Sequence, residues 1–148
     1  MRRIVDDGLV YYQFDSWLTL RHGVFTRHGG VSPHPWASLN MGGNVGDDSA
    51  NVRHNHDRMY QSLQLNGDRA CTVWQVHMAD VIVATDPNPE RRWLAQADGI
   101  LTDRLDMPLT MRFADCAPLF FFDPAQGVIG IAHAGWRGTV QGIGANTV

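Results

Sequence analysis

Two stretches of this chain place reactive side chains at the ends of neighbouring strands. Phe113-Ala114-Asp115-Cys116-Ala117-Pro118 carries a lone thiol, and one short hairpin later Ala132-His133-Ala134-Gly135-Trp136-Arg137-Gly138-Thr139 carries an imidazole. Trp74-Gln75-Val76-His77 offers a second imidazole in similar style. Two histidines and one cysteine can hold a zinc ion with a fourth position open, the layout of a catalytic site and not of a closed structural one. Thiolate with imidazole suits zinc or copper, and the open position suits hydrolysis or group transfer. The same atoms admit a metal-free reading, with Cys116 as nucleophile and His133 as its base. Asp115 would orient the histidine in that scheme or stand behind the ligands in the other, and its plainer role is that of a turn residue. The plainer alternative makes His77 and His133 satisfied strand-end histidines and Cys116 a small buried hydrophobe.

Further polar groups point to an anion. Arg27-His28-Gly29-Gly30 and Ser38-Leu39-Asn40 combine guanidinium, amide and bare backbone N–H groups that could surround an oxyanion or phosphate. Gly135-Trp136-Arg137-Gly138 opens a helix, whose N-terminus favours anions, and Trp136 either stacks on a base or packs in the core. His54-Asn55-His56 lies in a helix, where residues two apart face different ways, so it reads as a solvated face and not as a copper pair. Seven histidines with one such pair fall short of a trinuclear copper centre.

The elements that must position these residues are mostly short strands. Residues 8–14 and 22–26 read as strands rich in valine and aromatics, and residues 27–48 as a long glycine- and proline-rich loop of the kind that carries function. Asp48 or Ser49 caps a helix with Val52, Met59 and Leu63 near one face, ended by Asn66-Gly67. Strands are expected at 71–76, 81–84, 99–101, 109–113, 119–122 and 128–132, the last two paired through Asp123-Pro124-Ala125-Gln126-Gly127 as an antiparallel hairpin. Hairpins outnumber strand-helix-strand units, so the expected class is an α+β layered sandwich and not a doubly wound sheet. The helix after Gly135 stops within roughly three turns of its start, and a truncated chain is the expectation.

At 148 residues the chain is long enough for one domain, which at this size buries roughly 68–70% of its unfolded surface. Its 44% hydrophobic and 18% charged residues are a globular balance. A formal charge of -3 provides no broad basic field, which argues against nucleic acid as a partner. No apolar run is long enough for a bilayer, which argues against a membrane partner, and the start lacks a signal peptide, so a cytoplasmic address is expected. Cys71 and Cys116 are too few for a disulfide framework, and Cys71, within Cys71-Thr72-Val73-Trp74, reads as a buried structural thiol.

One family shows a set of motifs to which these correspond. The segments Phe25-Thr26-Arg27-His28-Gly29-Gly30-Val31-Ser32, Ser38-Leu39-Asn40-Met41-Gly42, Val45-Gly46-Asp47-Asp48, Gln75-Val76-His77, Ala97-Asp98-Gly99, Ala114-Asp115-Cys116 and His133-Ala134-Gly135-Trp136-Arg137-Gly138-Thr139 run in family order from the first third to the end. Together they resemble the laccase-domain (YfiH-type) family, often labelled multicopper polyphenol oxidase, whose members are read as zinc-dependent purine nucleoside phosphorylases. The resemblance implies that His77, Cys116 and His133 are the metal ligands and the catalytic centre. It implies an α/β/β/α sandwich of mostly antiparallel and mixed sheets, similar to the cysteine deamidase toxin fold, with residues 1–148 forming one domain incomplete at its C-terminus. Asn55 is followed by His56 where the family commonly has arginine, and Arg53 and Arg58 are the nearby cations.

The implied reactions are phosphorolysis of adenosine, inosine and S-methyl-5'-thioadenosine, with adenosine deamination alongside. The implied partners are therefore a purine nucleoside and phosphate. Arg27 and Asn40 match polar positions of the family's site, and Arg137 joins them as a phosphate-binding candidate. Zinc is the expected metal. A copper-dependent polyphenol oxidase using the same ligands is one alternative, and the metal-free Cys-His hydrolase is another.

Overall fold

Asp7-Gly8 is a two-residue turn with both φ angles positive, 43° and 80°, and it joins two strands that the right-handed twist of a hairpin accommodates well. The computed structural model describes residues 1–90 and 92–148, in two compact units, Met1–Leu65 and Asn66–Val148. In the first unit β1 (Arg2–Asp6) and β2 (Leu9–Gln13) flank that turn, and β3 (Val24–Phe25) pairs with β2, all antiparallel. Tyr11 stacks on Phe25 across the pair, with ring centroids 4.6 Å apart. The strand β1 is an addition to the sequence expectation. Its residues are mostly exposed, so they show no buried alternation, although the Asp-Gly pair was the available signal.

Helix α1 (Ser49–Ser62) starts where Asp48 accepts a hydrogen bond from the Ala50 amide, and it buries Val52, Asn55, Met59 and Tyr60 on one face. Its end lies before Asn66-Gly67. Gln64 takes a left-handed φ of 54°, its amide donates to Gln61 O and the Leu65 amide donates to Tyr60 O, a Schellman turn. Leu63 is only half-buried, and Asn66 instead caps a short 3-10 turn, Gly67–Arg69.

The second unit interleaves its strands. Strand β4 (Thr72–Trp74) pairs parallel with β6 (Trp93–Gln96), and β5 (Val81–Val83) pairs parallel with β7 (Gly99–Thr102). The antiparallel partners β8 (Ala117–Asp123) and β9 (Val128–Ala134) complete a four-stranded sheet in the order β5-β7-β9-β8. Asp123 shapes the hairpin turn by accepting from the Ala125 and Gln126 amides. Helices α2 (Trp136–Val140) and α3 (Ile143–Thr147) follow, and both contact β9. The core gathers Cys71, Val73, Ala84, Ala97, Ile100, Met107, Met111 and Ile131, so the Cys71 thiol is indeed structural.

The fold is thus mixed α+β with several sheets and few helices, as expected, and its mostly antiparallel pairings are joined by two parallel ones. Residues 109–113 also form no strand. A single bridge joins Leu109 to Cys71, and the Gln75 side chain takes both backbone groups of Arg112, donating to its carbonyl (2.7 Å) and accepting from its amide (3.0 Å). A side-chain amide there substitutes for a neighbouring strand. Among the described residues no helix is long and apolar enough to cross a membrane.

Ile100 has no exposed surface and sits in the middle of the core sheet. Ile100→Ala is expected to lower unfolding free energy by about 2–5 kcal/mol in urea denaturation, and a loss well under 1 kcal/mol would show that the site collapses without a cavity.

Candidate metal centre

The hairpin register carries Cys116 and His133 to the same end of the sheet. Ala117 pairs with Ala134 and Pro118 with His133, so Cys116, the residue just before β8, lies beside the C-terminal end of β9. His77 arrives separately, on the turn between β4 and β5. The ligand atoms of His77, Cys116 and His133 all lie within 4.8 Å of one another, with His77 exposed, Cys116 half-buried and His133 buried. The two imidazoles meet edge to face, their centroids 4.8 Å apart. Donors bound tetrahedrally to zinc at about 2.0–2.3 Å sit roughly 3.3–3.7 Å from each other. A small inward movement of side chains closes the difference, so the donor set fits such an ion.

Asp98, buried without exposed surface, holds this arrangement. Its carboxylate accepts three consecutive backbone amides: Val76 on Oδ2 (3.0 Å), His77 on Oδ1 (3.0 Å) and Met78 on Oδ2 (2.8 Å). The same Oδ1 stands 2.7 Å from His133 Nδ1, and the Asp98 carbonyl accepts the His133 amide at 2.7 Å. His77 itself has a φ of 62°. A left-handed conformation costs a residue with a Cβ about 1–2 kcal/mol, and the amides turned toward Asp98 compensate for it. Such local strain gathers where a side chain must be aimed.

Two glycines admit the close packing. A Cβ on Gly138 would come within 2.6 Å of the Met78 carbonyl, so glycine lets α2 approach the turn that carries His77. A Cβ on Gly135 would meet His77 Cδ2 at 3.3 Å, Cys116 Sγ at 3.4 Å and His133 Cε1 at 3.5 Å. Gly135 therefore leaves free the space around all three candidate ligands.

Asp115 does not orient the histidine; Asp98 does. Asp115 Oδ1 instead receives the Cys116 thiol at 3.6 Å. Burial first, then Asp115, pushes the thiol pKa up. Ala97-Asp98-Gly99 was one of the family's segments, but its role beside the ligands was not legible from spacing. The residue-level signal is a charge set against Ala97 and the apolar Gly99-Ile100-Leu101, since a charged residue in a buried strand start needs partners.

The anion candidates are distributed between the units. Arg137 is exposed on α2, with its guanidinium 5.3 Å from the Trp136 ring centroid, and Trp136 is 74% exposed, which removes the core alternative for that ring. Helix α2 has only five residues, too short for its dipole to gather an anion, so Arg137 acts through its own charge. In the first unit the Gly29 and Gly30 amides are not bare. Both donate to Ser38 Oγ, at 3.1 and 3.2 Å, which corrects the expected backbone cradle. Arg27, exposed, donates from Nε and Nη2 to the Ala37 carbonyl, and Asn40 donates to Asp47 Oδ2 (2.9 Å) and Gly42 O.

Asn55 is buried and belongs to this loop and not to a solvated helix face. It accepts from the Val31 amide and donates to Ser32 Oγ and to the Ser38 and Asn40 carbonyls. His54 is exposed, as expected, and His56 reaches the Met41 carbonyl. Arg58 takes the Gly29 carbonyl and pairs with Asp7 at 3.0 Å.

Comparison with known proteins gives these motifs a lineage. Residues 21–148 match the family model described as multi-copper polyphenol oxidoreductase laccase. The chain is 42% identical over 132 residues to a Geobacillus stearothermophilus protein named purine nucleoside phosphorylase YlmD, covering 85% of this chain and 48% of that one. It is 43% identical over 125 residues to the Streptomyces griseus purine nucleoside phosphorylase ORF3, covering 82% and 50%. The crystal structure of the Geobacillus YlmD superposes with a TM-score of 0.82 at 37% identity over 92% of this chain and 53% of that chain. That of Bacillus licheniformis YfiH gives 0.85 at 32% identity over 95% and 54%. The chain spans about half the length of the curated relatives it matches.

Two substitutions probe this geometry. Gly135→Val should fill the space between the three donors and lower zinc affinity at least about tenfold in chelator competition, with Gly135→Ala falling between it and the parent; equal affinities in all three would mean that ions do not bind here. Asn40 first, then Ser32, holds the Asp47 carboxyl below its ordinary value of 3.8. Because the folded pKa is the lower one, its contribution to stability is present above the ordinary value and is lost as pH falls through the folded value. Asn40→Ala should raise the Asp47 pKa in a carbon-13 NMR titration and destabilise the protein more at neutral pH than in strong acid, where only its bonds with Gly42 are lost. An unmoved titration would assign the shift to other groups.

Proposed function

Since the chain belongs to the multi-copper polyphenol oxidoreductase laccase family, we propose that its His77-Cys116-His133 cluster is a zinc site serving phosphorolysis of purine nucleosides. Adenosine, inosine and S-methyl-5'-thioadenosine are the proposed substrates, with adenosine deamination as a second reaction. The convergence of the three donors within 4.8 Å carries this reading, and the names of relatives at 42% and 43% identity support it. Two imidazoles and one thiolate hold zinc with an open position, and zinc so held supplies Lewis acidity and an acidified water.

The chain's own residues supply the rest. In phosphorolysis a phosphate oxygen forms a bond to the sugar C1' carbon while the C1'–N9 bond breaks and its electron pair leaves with the base. Arg137, in the unit that carries the cluster, is assigned to phosphate by its charge; in the first unit Arg27 is proposed as a phosphate-binding cation and Asn40 as a polar ligand-binding group. In deamination water replaces the 6-amino group, which leaves as ammonia. Trp136, exposed beside Arg137, offers an aromatic face to a purine. Copper is the competing metal, because it exceeds zinc in raw affinity at such donors and because the family's description names a laccase.

The zinc-loaded chain incubated with adenosine, with and without phosphate, is expected to form adenine only when phosphate is present, and inosine in either case, as resolved by chromatography. Cys116→Ala should abolish both products together. Phosphorolysis retained in that variant, or no product from a folded, zinc-loaded chain, would overturn the assignment. Oxygen uptake with a phenol at stoichiometric copper, without nucleoside turnover, would favour the oxidase instead.

A further inference from the structure

We infer that Asp98 is the positioning residue of the centre, a single buried carboxylate that sets both imidazoles, one through its ring and the other through its backbone. This rests on the metal reading proposed above and deepens it. A carboxylate has about four acceptor positions and no donor when ionised. At Asp98 four N–H groups converge on them: the Val76, His77 and Met78 amides and His133 Nδ1. Two of these donors fall on each oxygen, so neither oxygen can be exchanged for an NH2 group without setting donor against donor.

The consequences for the two ligands differ. For His133 an acceptor at 2.7 Å from Nδ1 requires the hydrogen to sit on that nitrogen, which leaves the Nε2 lone pair to serve as ligand. For His77 the carboxylate holds the amides on both sides of a residue with a φ of 62°, and this aims a side chain that an extended turn would direct elsewhere. The Asp98 backbone ties the same residue into the sheet. Its amide donates to the Asp80 carbonyl at 2.9 Å and its carbonyl accepts the His133 amide. Turn, β7 and β9 are thus referred to one side chain, and the positions of the donors depend on it before any ion arrives.

Two measurements test this on the full chain. Nitrogen-15 spectra of the histidine rings in the metal-free parent protein, recorded above pH 8, should show His133 with hydrogen on Nδ1; hydrogen on Nε2 overturns the proposal whether or not any variant folds. In chelator competition with zinc, Asp98→Asn should bind about 10–100-fold more weakly than the parent at a temperature where it is folded. Thr102→Val, which removes a buried hydroxyl at the far end of β7 that donates to the Ala84 carbonyl just after β5, should lose stability without changing zinc affinity. A folded Asp98→Asn protein that binds zinc within twofold of the parent overturns the positioning role. A parent chain that binds zinc no better than Cys116→Ala overturns the metal reading itself, so the two failures are distinct.

Discussion

The candidate metal centre depends on the Asp98 carboxylate. A negative group with no exposed surface is tolerable in a protein interior only when donors surround it, and here four N–H groups do so. Three of them belong to one turn and the fourth to a strand from another part of the unit. Satisfying the carboxylate therefore fixes the distance between His77 and His133 as a by-product of its own burial. The energetic logic is the same as that of any buried charge, but the geometry it enforces is that of two ligands.

The third donor is set by a different device. Cys116 precedes β8, and the β8–β9 hairpin delivers it by register alone to the sheet end that carries His133, two residues beyond the one paired with that histidine. A one-residue slip in that ladder would turn Cys116 and its neighbours to the other face, and the Asp123 turn together with the paired apolar residues of β8 and β9 resists it. Gly135 and Gly138 then allow the chain to leave β9 and come close to the turn that carries His77. At Gly138 an added Cβ would force the backbone apart, and at Gly135 it would press on all three ligand side chains.

The first unit follows a similar economy with neutral groups. A long segment without regular structure must satisfy its own backbone, and Ser38 and Asn55 do much of this. Asn55, with both donor and acceptor atoms, suits a site that presents an amide on one side and carbonyls on the other. Its burial explains why a polar residue occupies the inner face of an otherwise apolar helix stripe. Two carboxylates at the loop's periphery, Asp7 paired with Arg58 and Asp47 accepting from Asn40, tie it to the strands and to itself.

Residue type and order alone determined much of this. The Cys116 and His133 motifs, the hairpin between them, the cap of α1 and the α+β class are local signals, because turns, caps and alternating burial involve residues close in sequence. The His77 imidazole was read in the same way from its own short motif, and the resemblance carried by seven short segments joined the three as one ligand set. Only the tertiary structure decided that residues 109–113 are held by the Gln75 side chain, that β4 and β5 find parallel partners in β6 and β7, and that the Gly29 and Gly30 amides serve Ser38. It likewise replaced Asp115 with Asp98 behind His133. The reason is common to all four: a hydrogen-bonding group is indifferent to sequence distance, and its partner is chosen by which other buried groups the folded chain leaves in need of one.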